Sequence, residues 1–234
     1  NHILQAGTIS VLGSGAQGGS ISVAADSVLI QTAFASIDAS GATQGGSIAL
    51  PTPNGLAFLS GTSQANGAQG GTILVLGQDI MLAAAALDAS GSNQGGTVLV
   101  GGDYQGTNPA IQNAQTVTIN PATQINVSAT AQGNGGKAVV WSDQHTIFGG
   151  NIMARGGATR GDGGQVEVSG KELLGFGGTV DAGASNGQAG TLLLDPKNIT
   201  IDAVSGPTYL ALLDPNPAAG DSYGNGQVLE LSNG

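Results

Sequence analysis

The chain contains no cysteine among its 234 residues. That removes any disulfide framework and any cysteine-ligated zinc site, and it is compatible with an exported protein. Rings are scarce as well. Aromatics make up 3% of the chain, with a single Trp, whereas globular cores of this size rely on large rings for buried apolar area. Charged residues are only 9%, with 15 acidic against 5 basic side chains and a formal net charge of -10. Such a balance repels a phosphate backbone and argues against a nucleic-acid partner. No apolar run reaches the roughly 18 residues of a membrane-spanning helix, and no basic-then-apolar leader opens the chain. It begins abruptly at Asn1 and ends in Ser232-Asn233-Gly234, which reads as a piece of something longer.

What is present is glycine and small aliphatics: 42 Gly, and 40% hydrophobic residues that are mostly Ala, Val, Ile and Leu. The glycines lack the Gly-X-Y period of collagen, and the apolar content argues against a disordered linker. Branched aliphatics without rings suit thin, regularly stacked strands.

The order is a repeat. Gly-Gly followed by an alternating apolar strand recurs as GGSISV from Gly18, GGSIAL from Gly45, GGTILV from Gly70 and GGTVLV from Gly95. It continues as GGKAVV from Gly135, GGQVEV from Gly163 and a weaker AGTLLL from Ala189. The spacing is 25 to 28 residues except for one step of 40, which contains GGDYQGTNPAIQNAQ (Gly101 to Gln115), an insertion or an unusually wide coil. A second signal follows the Gly-Gly, its third residue 18 to 20 positions after the first glycine except across the long step, where it is 31: SIDASG (Ser36 to Gly41), ALDASG (Ala86 to Gly91), QINVSA (Gln124 to Ala129), NIMARG (Asn151 to Gly156) and TVDAGA (Thr179 to Ala184). Between the two lies a third apolar stretch, such as SVLIQT (Ser27 to Thr32) or DIMLAA (Asp79 to Ala84).

Three short strands per repeat, joined by Gly, Ser, Asn and Gln corners, predict an all-β parallel β-helix with about 25 residues per turn. At that period the chain makes roughly nine turns, a rod on the order of 40 Å long. Alternation places Ile21 and Val23, Ile48 and Leu50, Ile73 and Val75, Val98 and Val100, Val166 and Val168, and Leu192 and Leu194 inward. Three regions follow: regular turns over 1–94, a more distinctive block over 95–201 with its insertion near 101–115, and a segment over 202–234 that leaves the repeat. Open sheet edges at the ends of such a rod invite further pairing.

The distinctive block resembles the filamentous haemagglutinin family. The resemblance is carried by GGTVLVGGDYQG (Gly95 to Gly106), GNGGKAVVWSD (Gly133 to Asp143), IMARGGATRGDGGQVEVSGKELLGF (Ile152 to Phe176) and GTLLLDPKNITI (Gly190 to Ile201). It matches a stretch common in long members, downstream of the secretion domain. It implies a right-handed β-helix in a large bacterial exoprotein, exported through an outer-membrane partner by two-partner secretion to the cell surface or beyond. It carries over no catalytic residue. TPNGLAF (Thr52 to Phe58) faintly resembles the family's secretion-domain motif but occupies an ordinary strand slot, so it is assigned to the repeat.

Several residues invite a functional reading. Arg160-Gly161-Asp162 is a receptor-binding tripeptide by composition, but it precedes Gly163-Gly164 as GAQGG, GATQGG and GSNQGG do in other turns. A corner there needs small residues and positive φ, which Gly and Asp tolerate. Asp38, Asp88 and Asp181 share a repeat position, with Gln64, Asn126 and Met153 between them. At least two turns apart, roughly 10 Å, they are placed as turn caps and cannot supply the six to eight oxygens of a calcium site. No metal or other cofactor is expected.

Polysaccharide hydrolysis would need carboxylates some 5 to 10 Å apart on one face. Here Lys137, Arg155, Arg160, Lys171 and Lys197 are scattered, and His2 and His145 stand alone, so an enzyme is not expected. Glu167 and Lys171 read as a surface ion pair of small energetic weight. One outward column is unusually apolar: Ser22, Ala49, Leu74, Leu99, Val139, Glu167 and Leu193. An exposed apolar stripe marks a contact surface; the alternative is that the insertion covers it.

These expectations combine into an extended surface scaffold that supports adhesion or cell–cell contact, joined to the rest of a long parent chain. The alternatives are a direct glycan- or receptor-binding module, with Tyr104, Trp141, Leu74, Leu99 and Val139 as its contacts, and a subunit that self-associates laterally or end to end into filaments.

Overall fold

The computed structural model describes residues 1–13 and 15–195, and the backbone of the strand Ile199–Ile201. All of the regular structure in these residues is β-strand apart from one short 3-10 turn, Tyr104–Gly106. The strands stack into a 12-stranded sheet, a 7-stranded sheet and a 2-stranded corner sheet. All the strand pairs are parallel and link one turn to the next, which makes the chain a β-solenoid.

Seven turns stack on the Gly-Gly strands, through Ser20, Ser47, Thr72, Thr97, Lys137, Gln165 and Thr191. The mean turn is therefore roughly 28 residues, against the expected 25. The 40-residue step is a genuine wide turn, and it raises the mean. Seven turns at about 4.8 Å each make a stack on the order of 35 Å. The segment 202–234, including its YLALL stretch, lies outside the described residues, as does Lys197.

The inward columns are continuous. Ile21, Ile48, Ile73, Val98, Ala138, Val166 and Leu192 stack in register and are buried, as are Leu50, Val75, Val100, Val140 and Val168 beside them. Leu194 is also buried, and Val23 is half-buried and packs against this core. The third strand of each turn adds Ile9, Ile37, Ser63, Leu87, Ile125, Ile152 and Val180. Ser63 is the polar member of that column, and it sits 3.4 Å from the Nε2 of Gln31, whose side chain also points inward. Phe148 and Phe176 stack in adjacent turns with ring centroids 5.3 Å apart, a separation at which aromatic pairs attract beyond their buried area.

The Gly-Gly signature closes each turn. The N–H of Gly46 donates to the Ala39 carbonyl at 2.8 Å, that of Gly71 to Ala65 at 2.7 Å, and that of Gly96 to Ala89 at 2.8 Å. A Cβ on Gly45 would lie 1.9 Å from the Ala65 oxygen, and one on Gly46 would lie 1.9 Å from the Gly19 oxygen. The backbone thus approaches itself both within and between turns, and both positions need glycine.

TPNGLAF departs from its expected slot. Thr52 to Leu56 spans a register irregularity inside the long strand Ser47–Leu59. There Asn54 Nδ2 donates to Asp26 Oδ1 at 2.7 Å, so the motif carries the strand around from one face of the turn to the next.

Candidate functional site

The wide turn builds the most elaborate side-chain arrangement in the described residues. The chain leaves the stack at Gly101, whose N–H still donates to Val75 at 2.9 Å. It returns at Ala114, whose N–H donates to the Gly101 carbonyl at 2.7 Å. The excursion closes on itself as an Ω-loop, termed the strap below. It continues directly from the strand Thr97–Val100 and lies against the neighbouring strand Lys137–Phe148.

Asp103 anchors the strap. Its carboxylate accepts from the Tyr104 N–H at 2.7 Å and from Asn108 Nδ2 at 2.9 Å, and it pairs with the Lys137 ammonium. Desolvation alone would raise its pKa, but the hydrogen bonds from Asn108, Lys137 and Tyr104 outweigh that and hold it down to about 2. The Lys137 ammonium also sits 5.8 Å from the centre of the Tyr104 ring, within cation–π range.

Beyond Asp103 the strap crosses the apolar outward column. Leu99, Val139 and Trp141 form one buried cluster, with Leu74 half-buried against it. The column is therefore covered at Leu99 and Val139, while Ser22 stays exposed and Ala49 half-buried. Trp141 is only 5% exposed, and a Cβ on Gly106 would lie 2.4 Å from its ring. Its indole N–H donates to Asp143 Oδ1 at 3.1 Å, which also accepts from Asn113 Nδ2 at 3.1 Å. Asn113 donates further to the Gly106 carbonyl at 3.0 Å. Trp141 is thus a packing residue and leaves no ring face for sugar stacking, contrary to its reading as a contact. Leu99 and Val139 are removed from solvent in the same way.

The same column continues into a carboxylate that sequence reasoning placed on the surface, and beyond it to Leu193. Glu167 is fully buried, and no ion pair joins it to the exposed Lys171 among the described residues. Its Oε2 accepts from the Gln105 N–H at 2.9 Å, while Oε1 has no partner. Burial raises its pKa to about 7; the bond from Gln105 and the Ser169 hydroxyl oppose that rise, Asp195 adds to it, and Lys137 opposes it. The signal for this site was present in the sequence as the only charged residue in an apolar column.

An open cleft of about 650 Å³ lies beside the strap, lined by Gln105, Asn113, Trp141, Asp143, Lys171 and Asp195 among others. On another face, Leu4, Ile30, Phe58, Met81, Thr118 and Ile147 align in register, with Leu4 67% exposed. No repeat signal marks this second apolar column in the sequence, because its six members lie in six differently written segments.

The remaining candidates resolve into corners. Arg160 donates to Gln132 Oε1 at 3.0 Å, Gly161 adopts φ +118°, and Asp162 accepts from the Gln188 N–H at 2.8 Å. Each member of the tripeptide thus contacts an adjacent turn or makes the bend between them. Asp38, Asp88 and Asp181 each accept the N–H two residues ahead at 2.9 Å, which is an Asx-turn. Their column runs through Gln64, Asn126 and Met153 as expected. Arg155 pairs with Asp181 at 3.1 Å. No group of three or more His, Asp or Glu side chains that could hold a metal ion occurs among the described residues, and no helix there is long and apolar enough to cross a membrane.

This architecture defines a β-solenoid. The chain is similar to the crystal structure of the HMW1 secretion domain from Haemophilus influenzae, with a TM-score of 0.64 and 29% identity over 83% of its length. It spans 50% of that structure's chain. No protein-family model matches the chain, and no curated protein does. The resemblance to the filamentous haemagglutinin family therefore extends from sequence blocks to the fold, and it supports a secreted exoprotein of that kind. The sequence blocks resemble a stretch downstream of a secretion domain, whereas the structural match is to a secretion domain. A solenoid repeats one backbone path along its axis, so such a match identifies the architecture more sharply than the position in a parent chain.

Proposed function

We propose that this chain is a stiff, non-catalytic segment of a large bacterial surface exoprotein, exported with the help of an outer-membrane partner. It acts as a scaffold that supports adhesion or cell–cell contact. One observation carries the reading: the hydrogen-bonded ladder runs unbroken through seven turns, and even the wide turn folds its excess chain back onto the stack. Asp38, Asp88, Asp162 and Asp181 cap corners, and Asp103, Asn108 and Lys137 anchor the strap.

A direct glycan-binding role is the second reading, favoured by the cleft beside the strap, where Gln105, Asn113 and Lys171 offer polar groups. Lateral or end-to-end association of such rods is compatible with either reading. The experiment is binding of the purified chain to a glycan array and to whole cells, with Tyr104→Ala and Lys171→Ala in parallel. The scaffold reading expects no specific binding from folded, β-rich protein. Specific binding that one substitution abolishes would replace it with the recognition module.

A further inference from the structure

The strap covers part of an apolar column that is interrupted by a carboxylate. Leu74, Leu99 and Val139 run up to Glu167 in one register, and the same loop that roofs the three aliphatics hydrogen-bonds the acid. An outward column interrupted by a buried carboxylate with one unpartnered oxygen is a costly arrangement when the acid is ionised, because desolvation disfavours the charged form. Protonation removes most of that cost. We propose that the strap, residues 101–114, is a pH-gated cover: ionisation of Glu167 loosens it and bares Leu74, Leu99, Val139 and Trp141.

The charged and titratable groups around Glu167 favour this role. From the strap, Asp103 and Tyr104 face the site, and Asp103 occupies the Lys137 ammonium. From the strand Lys137–Phe148 come Lys137 itself and Asp143, the latter engaged by Trp141 and Asn113. Ser169 and Lys171 follow on Glu167's own side, and Asp195 of the next turn adds a second negative charge. Lys137 is thus already paired with Asp103, and no ion pair joins Glu167 to a cation among the described residues.

The direction follows from the carboxyl group's two environments. With the strap closed its pKa is about 7, against an ordinary value of 4.5 when solvated. The closed state therefore holds its proton more tightly. Closure is fully favoured below about 4.5, weakens as pH rises, and reaches its weakest above about 7. Asp103, held at about 2, stays ionised and keeps its Lys137 anchor throughout that range. Each pK unit is a factor of ten, so the closed-to-open ratio changes by on the order of a hundredfold across the window.

Trp141 is the only tryptophan in the chain, so acrylamide quenching of its fluorescence reads the cover directly. In the full chain, quenching is expected to rise between about pH 4.5 and 7 and then level off. Glu167→Gln should stay poorly quenched and lose the pH dependence. Flat quenching in the parent protein would overturn the proposal, as would an unchanged pH profile in a folded Glu167→Gln. Hydrogen exchange on the unmodified protein tests it independently of that variant. Protection of the Gln105 amide, corrected for the intrinsic exchange rate, should fall across the window while that of Val140 in the underlying ladder holds. Equal losses at both would mean general unfolding and no gate.

Discussion

At the scale of single residues, neighbouring backbone decides roles that composition leaves open. Arg160-Gly161-Asp162 has the composition of a receptor ligand, yet Gly161 lies at φ +118° with the Gly133 carbonyl where a Cβ would go, 1.9 Å away. Gly161→Ala should therefore lower stability by about 1–3 kcal/mol through strain and overlap, measurable as a reduced midpoint of urea denaturation. A loss under half a kilocalorie would indicate that the corner can relax. Asp162→Glu, in contrast, keeps the charge while lengthening the side chain that receives the Gln188 N–H, so it probes recognition more than folding. Unchanged cell attachment in that variant would leave the corner as its whole role. Glu167 carries the same lesson in reverse: its type suggests a surface, and its neighbours bury it.

At the scale of elements, the strap and the column beneath it depend on each other. The loop contributes few apolar side chains of its own; it is held by Asp103, Asn108 and Asn113, and it shields Leu99, Val139 and Trp141. Joining Gly101 to Ala114 by a short glycine linker should leave the ladder intact, because those two residues already share a hydrogen bond of 2.7 Å. The shortened chain should keep its β-sheet circular dichroism, bind a hydrophobic dye strongly and self-associate, since exposed contiguous apolar patches do both. Weak dye binding by a folded, monomeric strapless chain would mean that the column needs no cover. The Gly-Gly clasps form the other recurrent element. Their uniform geometry explains why the repeat is legible even where strand residues vary from Ser to Glu.

At the scale of the molecule, the strand ladder joins each turn only to the turns beside it, while the strap reaches further, to Pro53 and Glu167. Stability is then close to a sum of turn and interface contributions, and loss of one mid-stack contact is felt locally. Ile73 is fully buried between Ile48 and Val98. Ile73→Ala should cost about 2–5 kcal/mol and reduce amide protection most in its own and the two adjacent turns. A uniform fall along the whole stack would point to a single cooperative unit. The ladder crosses the boundary near residue 95 without interruption, through the pairing of Thr97 with Thr72.

The solenoid, its strand order and its inward columns were legible in the sequence, because a parallel stack repeats one local environment and therefore one local pattern. Alternating Ile, Val and Leu state which face is buried, and Gly-Gly states where each turn closes. The mean turn came out longer than expected because one wide turn breaks the period. Tertiary structure alone decided what that excess chain does. Periodicity describes contacts made at a constant offset, whereas the strap's contacts with Trp141 and Glu167 join residues at offsets that occur once. The outward column could have been an interface or a covered seam, and only the path of residues 101–114 over it distinguishes the two. The altered proton affinity of Glu167 arises in the same way, from burial by a segment more than fifty residues away in the chain.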